Sequence, residues 1–428
     1  MRVYDIGSPI EKEAGEKMTD EQWLRAIAKY RTEEPPDCWE HPDKGGASAL
    51  AWMLREFVSN EPERFAQLSL LFPPGTNPVY IERVLEGLQG TAAPLGLKLD
   101  VCRKAFAEAR VECGKAIADL LGNIAEPLPD DAVEMLHWLA TEYPDPEREL
   151  LAEKSAGDQP CNKGDIYFDG INTTRGRAAE AIYHLIITDE SYVARFHTTL
   201  DRLVADQSLA VRSCTALTLL AIAHHNARLA LALFQTLTDA DDRLLATPYV
   251  EQFIHYNRYE HFLILRPLVE RMLRSLNSDV SNAGARLASL AALYHPTAAD
   301  LADEAMHGHA SQRLGVAEVA AANIARAECR SWCEQRLLQL FNDCDAQVRR
   351  KVASCFRRLA QESLEDYEAL IIAFCESLAY QEDSFSILHI LEESVRRLLW
   401  YNVLGLRKEI GRAVQQECRD RYRMPSSA

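Results

Sequence analysis

Long apolar runs are missing from this chain. No segment of its 428 residues approaches the ~18 consecutive apolar positions that a membrane-crossing helix needs, so no membrane partner is expected. The start, Met1-Arg2-Val3-Tyr4-Asp5, lacks the apolar stretch of a secretory leader. Glycine (19) and proline (18) are sparse, and alternating β-branched runs are hard to find. That scarcity excludes sheet-built architectures and leaves a mostly helical chain, all-α in class. The 11 cysteines are odd in number and scattered, most of them inside helical patterns (Cys102, Cys214, Cys355, Cys375), so a disulfide framework is excluded. Thiols used as small core residues suit a reducing, cytoplasmic setting, where the Asn172-Thr173-Thr174 sequon has no meaning. Positive charge is in deficit: 47 Lys and Arg stand against 64 acidic residues, a net of −17. A surface of that sign repels nucleic acid and anionic lipid.

Chemical signatures are also missing. The chain has no Gly-x-Ser-x-Gly elbow, no His-Glu-x-x-His helix and no glycine-rich dinucleotide loop. Acidic groups such as Asp239/Asp241/Asp242 and Glu392/Glu393 fall on turns or exposed faces, whereas catalysis needs them converging in a closed pocket. Cys329 and Cys333, four apart on a helix, with His307 and His309 upstream, make a Cys2His2 zinc site geometrically conceivable. The CxxC knuckle that would mark one is absent, so the thiols are read as packing groups. His224-His225 and His255 are read as interfacial or surface residues. No catalytic residue, metal or cofactor is assigned.

What the chain does contain is a recurrence. Thr174, Val211, Leu245, Val280, Leu314, Val348 and Phe385 occupy similar places, 37, 34, 35, 34, 34 and 37 residues apart. Small residues follow most of them: Ala178-Ala179, Ala216, Ala283-Gly284-Ala285, Val316-Ala317 and Ala353. Small side chains let a neighbouring helix approach closely. Asp206-Gln207-Ser208 and Asn342-Asp343-Cys344-Asp345 precede the sharper copies and offer side-chain oxygens to helix-terminal amides. A period in this range means helix pairs that bury their apolar faces only by stacking on one another, the pattern of HEAT-like repeats in an α-solenoid.

The expected organisation follows. Residues 1–17 read as a linker and 18–143 as a less regular helical N-terminal portion. Its first helix opens at the capping box Thr19-Asp20-Glu21-Gln22 and carries Trp23, Leu24 and Ile27 on one face. Proline and glycine make 31–46 a loop; helices follow at 47–59, 62–71, 78–88, 101–109, 114–121 and 130–143. Residues 144–171, rich in Pro, Gly, Asp and Lys, read as a long loop. The regular repeats occupy 172–418, and 419–428 is a frayed tail.

Several segments resemble a known family. Thr19-Asp20-Glu21-Gln22-Trp23-Leu24, Pro62-Glu63-Arg64-Phe65-Ala66, the run from Gly170 to Ile182 and Thr247-Pro248-Tyr249-Val250-Glu251 are similar to the C-terminal helical-repeat region of large bacterial STAND-type P-loop NTPases. The resemblance implies an upstream nucleotide-driven oligomerisation module, with repeats that sense a ligand or hold the protein inactive, in some cases in anti-phage defence. This sequence has no Gly-x-x-x-x-Gly-Lys-Ser/Thr, so such a module is expected outside it, and the linker-like start fits a fragment of something longer.

Two surfaces are candidates for partner binding. In the segment Gly164 to Arg177, Tyr167 and Phe168 with Arg175 and Arg177 can form an anchor patch. Alternatively the aromatics seal a solenoid end and Arg175 bonds to an acidic turn of the next repeat. Arg349, Arg350, Lys351, Arg357 and Arg358 cluster on one repeat, followed by Arg396, Arg397 and a basic tail from Arg407 to Arg423. They read either as solvated faces beside acidic neighbours or as a local basic stripe. The leading expectation is a non-enzymatic scaffold or sensor that binds a protein partner or an upstream NTPase module. The alternative is a HEAT-like nucleic-acid-binding or DNA-repair protein using Arg349 to Arg358.

Overall fold

The computed structural model describes residues 7–34, 44–144, 165–359, 362 and 364–387. Regular structure among them is helical, apart from one isolated bridge between Gly7 and Lys44. The chain divides into two compact units, Met1–Asn257 and Arg258–Ala428. That division does not coincide with the break expected at 144–171.

In the first unit the helices form two rows. One row contains Ala47–Asn60, Pro78–Gly87, Gly114–Gly122, Thr174–Thr188 and Leu209–His225, each packed on the next in that order. The other contains Pro62–Leu70, Leu95–Ala109, Asp130–Thr141, His197–Val204 and Ala227–Thr238, packed in the same manner. Residues 47–141 therefore pack in the same manner as the helices from Thr174 to Thr238, although their periodicity is too weak to read. The second unit repeats the pattern: Ser278–Ala292 packs on Ala310–Asn323, which packs on Ala346–Ala353, which packs on Leu378–Glu382.

Local chemistry explains several helix starts. Thr19 accepts from the Gln22 amide and Gln22 returns the bond, the capping box read from the sequence. Thr173, Asn277 and Asp345 likewise cap the helices that follow them. The small residues sit where helices come closest: Ala178, Ala179, Ala216, Ala283, Ala285, Ala317 and Ala353 are fully buried. A Cβ on Gly122 would lie 2.7 Å from the Ala181 Cα, and one on Gly315 2.6 Å from the Asn282 carbonyl oxygen. No other residue allows those approaches.

The structure moves three of the expected positions. The helices begin at Thr174, Leu209, Pro248, Ser278, Ala310 and Ala346, which is 35, 39, 30, 32 and 36 residues apart. Val211, Val280 and Val348 are each the third helical residue and fully buried. At the Ala310 helix that place belongs to Gln312, not Leu314, which is only half-buried. A polar residue is tolerated there because both ends of its amide are used: Gln312 Nε2 donates to the Leu273 carbonyl (2.6 Å) and Oε1 accepts from the His309 amide (2.7 Å). Leu245 is buried but lies in a 3-10 turn, Asp242–Ala246, ahead of the helix; Phe385 is 71% exposed. A further difference lies at 144–171. Ile166–Ile171 is a helix rather than loop, and helix Leu95–Ala109 starts six residues before the expected 101.

Candidate functional site

The short helix Ile166–Ile171 owes its placement to two features of its sequence. The Asp165 carboxylate caps it, accepting from the amides of Tyr167 (3.0 Å) and Phe168 (3.2 Å). Gly170 then lets it settle on the Leu209 helix, since a Cβ there would strike the Ala210 carbonyl and come 2.6 Å from Cys214 Sγ. With the turn fixed in this way Tyr167 points inward and Phe168 stays 42% exposed.

Tyr167 ends a chain of polar contacts. Its hydroxyl donates to Glu180, and its ring meets Tyr249 edge-on at 4.7 Å. Glu180 also accepts from Arg177 Nη1 (2.6 Å), whose Nε donates to Asp119 (2.8 Å). Burial, the Glu180 bond and the Tyr249 hydroxyl together push the Tyr167 phenol well above its usual range, so it stays a donor. Burial likewise raises the Asp119 carboxyl, against the pull of Arg177. Two carboxylates share one guanidinium here, which leaves one formal negative charge uncompensated.

Above this chain lies a groove of about 870 Å³, built from one face of each of three helices. The Thr174 helix contributes Glu180, Tyr183, His184 and Ile187, at i, i+3, i+4 and i+7. The Leu209 helix contributes Leu217, Leu220, Ala221 and His224 at matching spacing, with His225 beside them, and the Pro248 helix contributes Tyr249, Gln252 and Tyr256. With Tyr167 that makes four tyrosines and three histidines around an apolar floor. Tyr256 is 61% exposed, and the His225 ring lies 3.4 Å from Glu190 at the rim. Among the described residues that line the groove, none is lysine or arginine. Such a surface offers aromatic rings and hydrogen-bonding groups to a ligand.

Of the residues marked for partner binding from the sequence, Tyr167 alone lines this groove. Arg175 bonds to Asp206, the acidic turn of the next helix pair, and Arg177 belongs to the chain beneath the groove, so both are structural contacts within the unit. In the second unit Arg349 bonds to Glu382 and to the carbonyls of Asp343 (2.7 Å) and Cys344 (3.0 Å). Arg350 approaches Glu382 at 3.8 Å, while Arg357 donates to Ser386 (3.1 Å) and lies 3.6 Å from Asp383. Lys351 faces Glu318 at 3.6 Å. The Arg349 to Arg357 cluster is therefore interleaved with acids. Arg358 is exposed. Arg396, Arg397, the tail arginines, Glu392 and Glu393 lie outside the described residues, as do residues 145–164.

Tyr183, His184, Tyr249 and Tyr256 were not marked as binding residues from the sequence, and His224-His225 read as interfacial or surface residues. The available signal was the i, i+3, i+4, i+7 spacing of Glu180, Tyr183, His184 and Ile187 on a helix whose opposite face is alanine and isoleucine.

The remaining chemistry is committed elsewhere. A second hollow, of about 980 Å³, lies in the second unit beside Ser275, Leu276 and His307. Its acids are taken: Arg274 holds Glu304 through two 2.9 Å bonds, Arg266 pairs with Asp300 and Arg336 with Asp303. Cys329 and Cys333 are buried, His307 bonds to the Asp303 carbonyl at 2.9 Å, and His309 caps the Ala310 helix. No group of three or more His, Cys, Asp or Glu that could hold a metal ion occurs among the described residues. No helix among them is long and apolar enough to cross a membrane. Compared with known proteins, the chain matches no family model, and no curated protein matches it in sequence.

Proposed function

We propose that this chain is a helical-repeat interaction module, with HEAT-like hairpins stacked as a solenoid, that recognises a protein partner through the tyrosine and histidine groove of its first unit. The observation that carries this reading is the convergence of Tyr167, Tyr183, Tyr249 and Tyr256 on one open face. Tyrosine supplies large contact area at small conformational cost, which is why it anchors interfaces. The row-on-row packing supports the solenoid, since each pair rests on its neighbours. Such a module suits the sensing or regulatory role in a larger bacterial NTPase that the sequence resemblance implies. The nucleic-acid alternative draws less support, because Arg349, Arg350 and Arg357 each face an acidic neighbour.

Site-specific photocrosslinking in cells tests the reading. A benzophenone side chain at Tyr256 is expected to capture a defined protein, and the same group at Glu134, exposed on the other row of the unit, is not. Equal capture at both positions, or none at either, removes the groove as the recognition surface.

A further inference from the structure

The groove has a charge preference as well as an aromatic one, and resting on the reading above we propose that its occupant is a basic peptide segment whose arginine or lysine side chain inserts among the tyrosines. Three observations converge on this. Four tyrosine rings line the groove, and a guanidinium or ammonium group stacks on the electron-rich face of such a ring. The described lining holds no lysine or arginine to repel one. Beneath it Asp119 and Glu180 share the single cation Arg177, and Glu190 stands at the rim beside His225, so the local charge is negative. A chain with a net charge of −17 adds a long-range field that draws a basic segment in.

The geometry also says which groups do what. Glu180 holds Tyr167, and Tyr249 packs edge-on against it, so the two rings form the fixed wall of the site. Tyr256, 61% exposed, is the ring free to close over an entering cation. An anionic segment would meet Glu180 and Glu190, and the one arginine beneath, Arg177, is already shared between Asp119 and Glu180. A purely apolar segment would cover the floor of Leu217 and Leu220 but leave the polar edge unused.

Fluorescence anisotropy with the full chain decides the matter. The probes are three labelled decapeptides of serine and glycine carrying three arginines, three glutamines or three glutamates at the same positions, with a labelled twenty-nucleotide thymidine strand as a fourth. The arginine peptide is expected to bind, and the other three to bind at least tenfold more weakly. Tyr256→Phe keeps the ring face and retains affinity, whereas Tyr256→Ala loses about tenfold; unchanged thermal unfolding of both variants shows that neither has lost its fold. Equal affinity of wild type and Tyr256→Ala for the arginine peptide overturns the inference, because bulk attraction to an acidic surface would then account for binding. So does equal binding of the glutamine peptide, or preferential binding of the thymidine strand. If Tyr256 crosslinks a partner while these peptide outcomes fail, the cation preference falls and the groove reading stands; if the crosslink fails too, both fall.

Discussion

Replacing Asp343 by alanine tests how neighbouring helix pairs are held together. Asp343 accepts from Arg313 twice, at 2.6 Å through Nε and 3.0 Å through Nη2, and from the Asp345 amide at 2.8 Å. Asp345 in turn caps the Ala346 helix. The two charged side chains are 17% and 5% exposed, so their bonds are poorly screened. Breaking a buried pair by removing one partner costs about 3–5 kcal/mol, because the other charge is stranded. Arg313 keeps the Gly308 carbonyl at 2.6 Å and some access to water, which lowers the expected loss to about 2–3 kcal/mol. Arg274→Ala is the control: its bond to Glu304 is also bidentate, at 2.9 Å twice, but Arg274 is 59% exposed, and a much smaller loss is expected. Amide exchange of the Ala310 and Ala346 helices reads the effect locally, which avoids treating a chain of two units as one cooperative transition. If Asp343→Ala costs no more than Arg274→Ala, the bond is not what couples these pairs and the reasoning fails.

Three further outcomes are expected. Burial pushes the Asp343 carboxyl up, but the Arg313 guanidinium and the Asp345 amide outweigh it and hold the group below the usual carboxylate range. The unfolded chain therefore binds that proton more readily, so the pair stabilises the fold above about pH 4 and the contribution is lost as pH falls below it. Asp343→Asn is expected to flatten that acid limb in unfolding measured from pH 7 to pH 2, and an unchanged limb refutes the assignment. Gly284→Ala is expected to cost about 1–3 kcal/mol in chemical unfolding, because the new Cβ would lie 2.7 Å from the Met272 carbonyl carbon and closer still to the Leu273 amide, both of them backbone that cannot rotate away. Gly96→Ala, with open space around it, should be neutral or stabilising by up to ~1 kcal/mol, and a similar loss at both sites would contradict the close-packing argument. Among the described cysteines, Cys344 and Cys375 are exposed and should be labelled within minutes by a maleimide under native conditions. Cys102 is buried, with its thiol pushed up to about 12, and should react only on unfolding; native labelling of Cys102 would show that the core around it is open.

The sequence by itself determined what depends on neighbours a few residues away. The all-α class followed from composition, the first full helix from Thr19 and Gln22, and the close-packing points from Ala178-Ala179 and Ala283-Gly284-Ala285, because caps and small-residue faces are local properties of a helix. Tertiary structure decided which polar residue could replace an apolar one and which charges met. Gln312 holds the buried place that the spacing assigned to Leu314 only because Leu273 presents a carbonyl to it from 39 residues away. Arg175 and Arg349 are spent on acids 31 and 33 residues on, pairings that the sequence offered only as one of two alternatives. The groove is the extreme case. Glu180, Leu217 and Tyr249 each lie on an unremarked face of their own helix, and they share one surface only once close packing through Ala178, Ala181 and Ala216 sets three helices side by side. A helix records its own periodicity in sequence, but the partner of a face is chosen by burial summed over the whole unit.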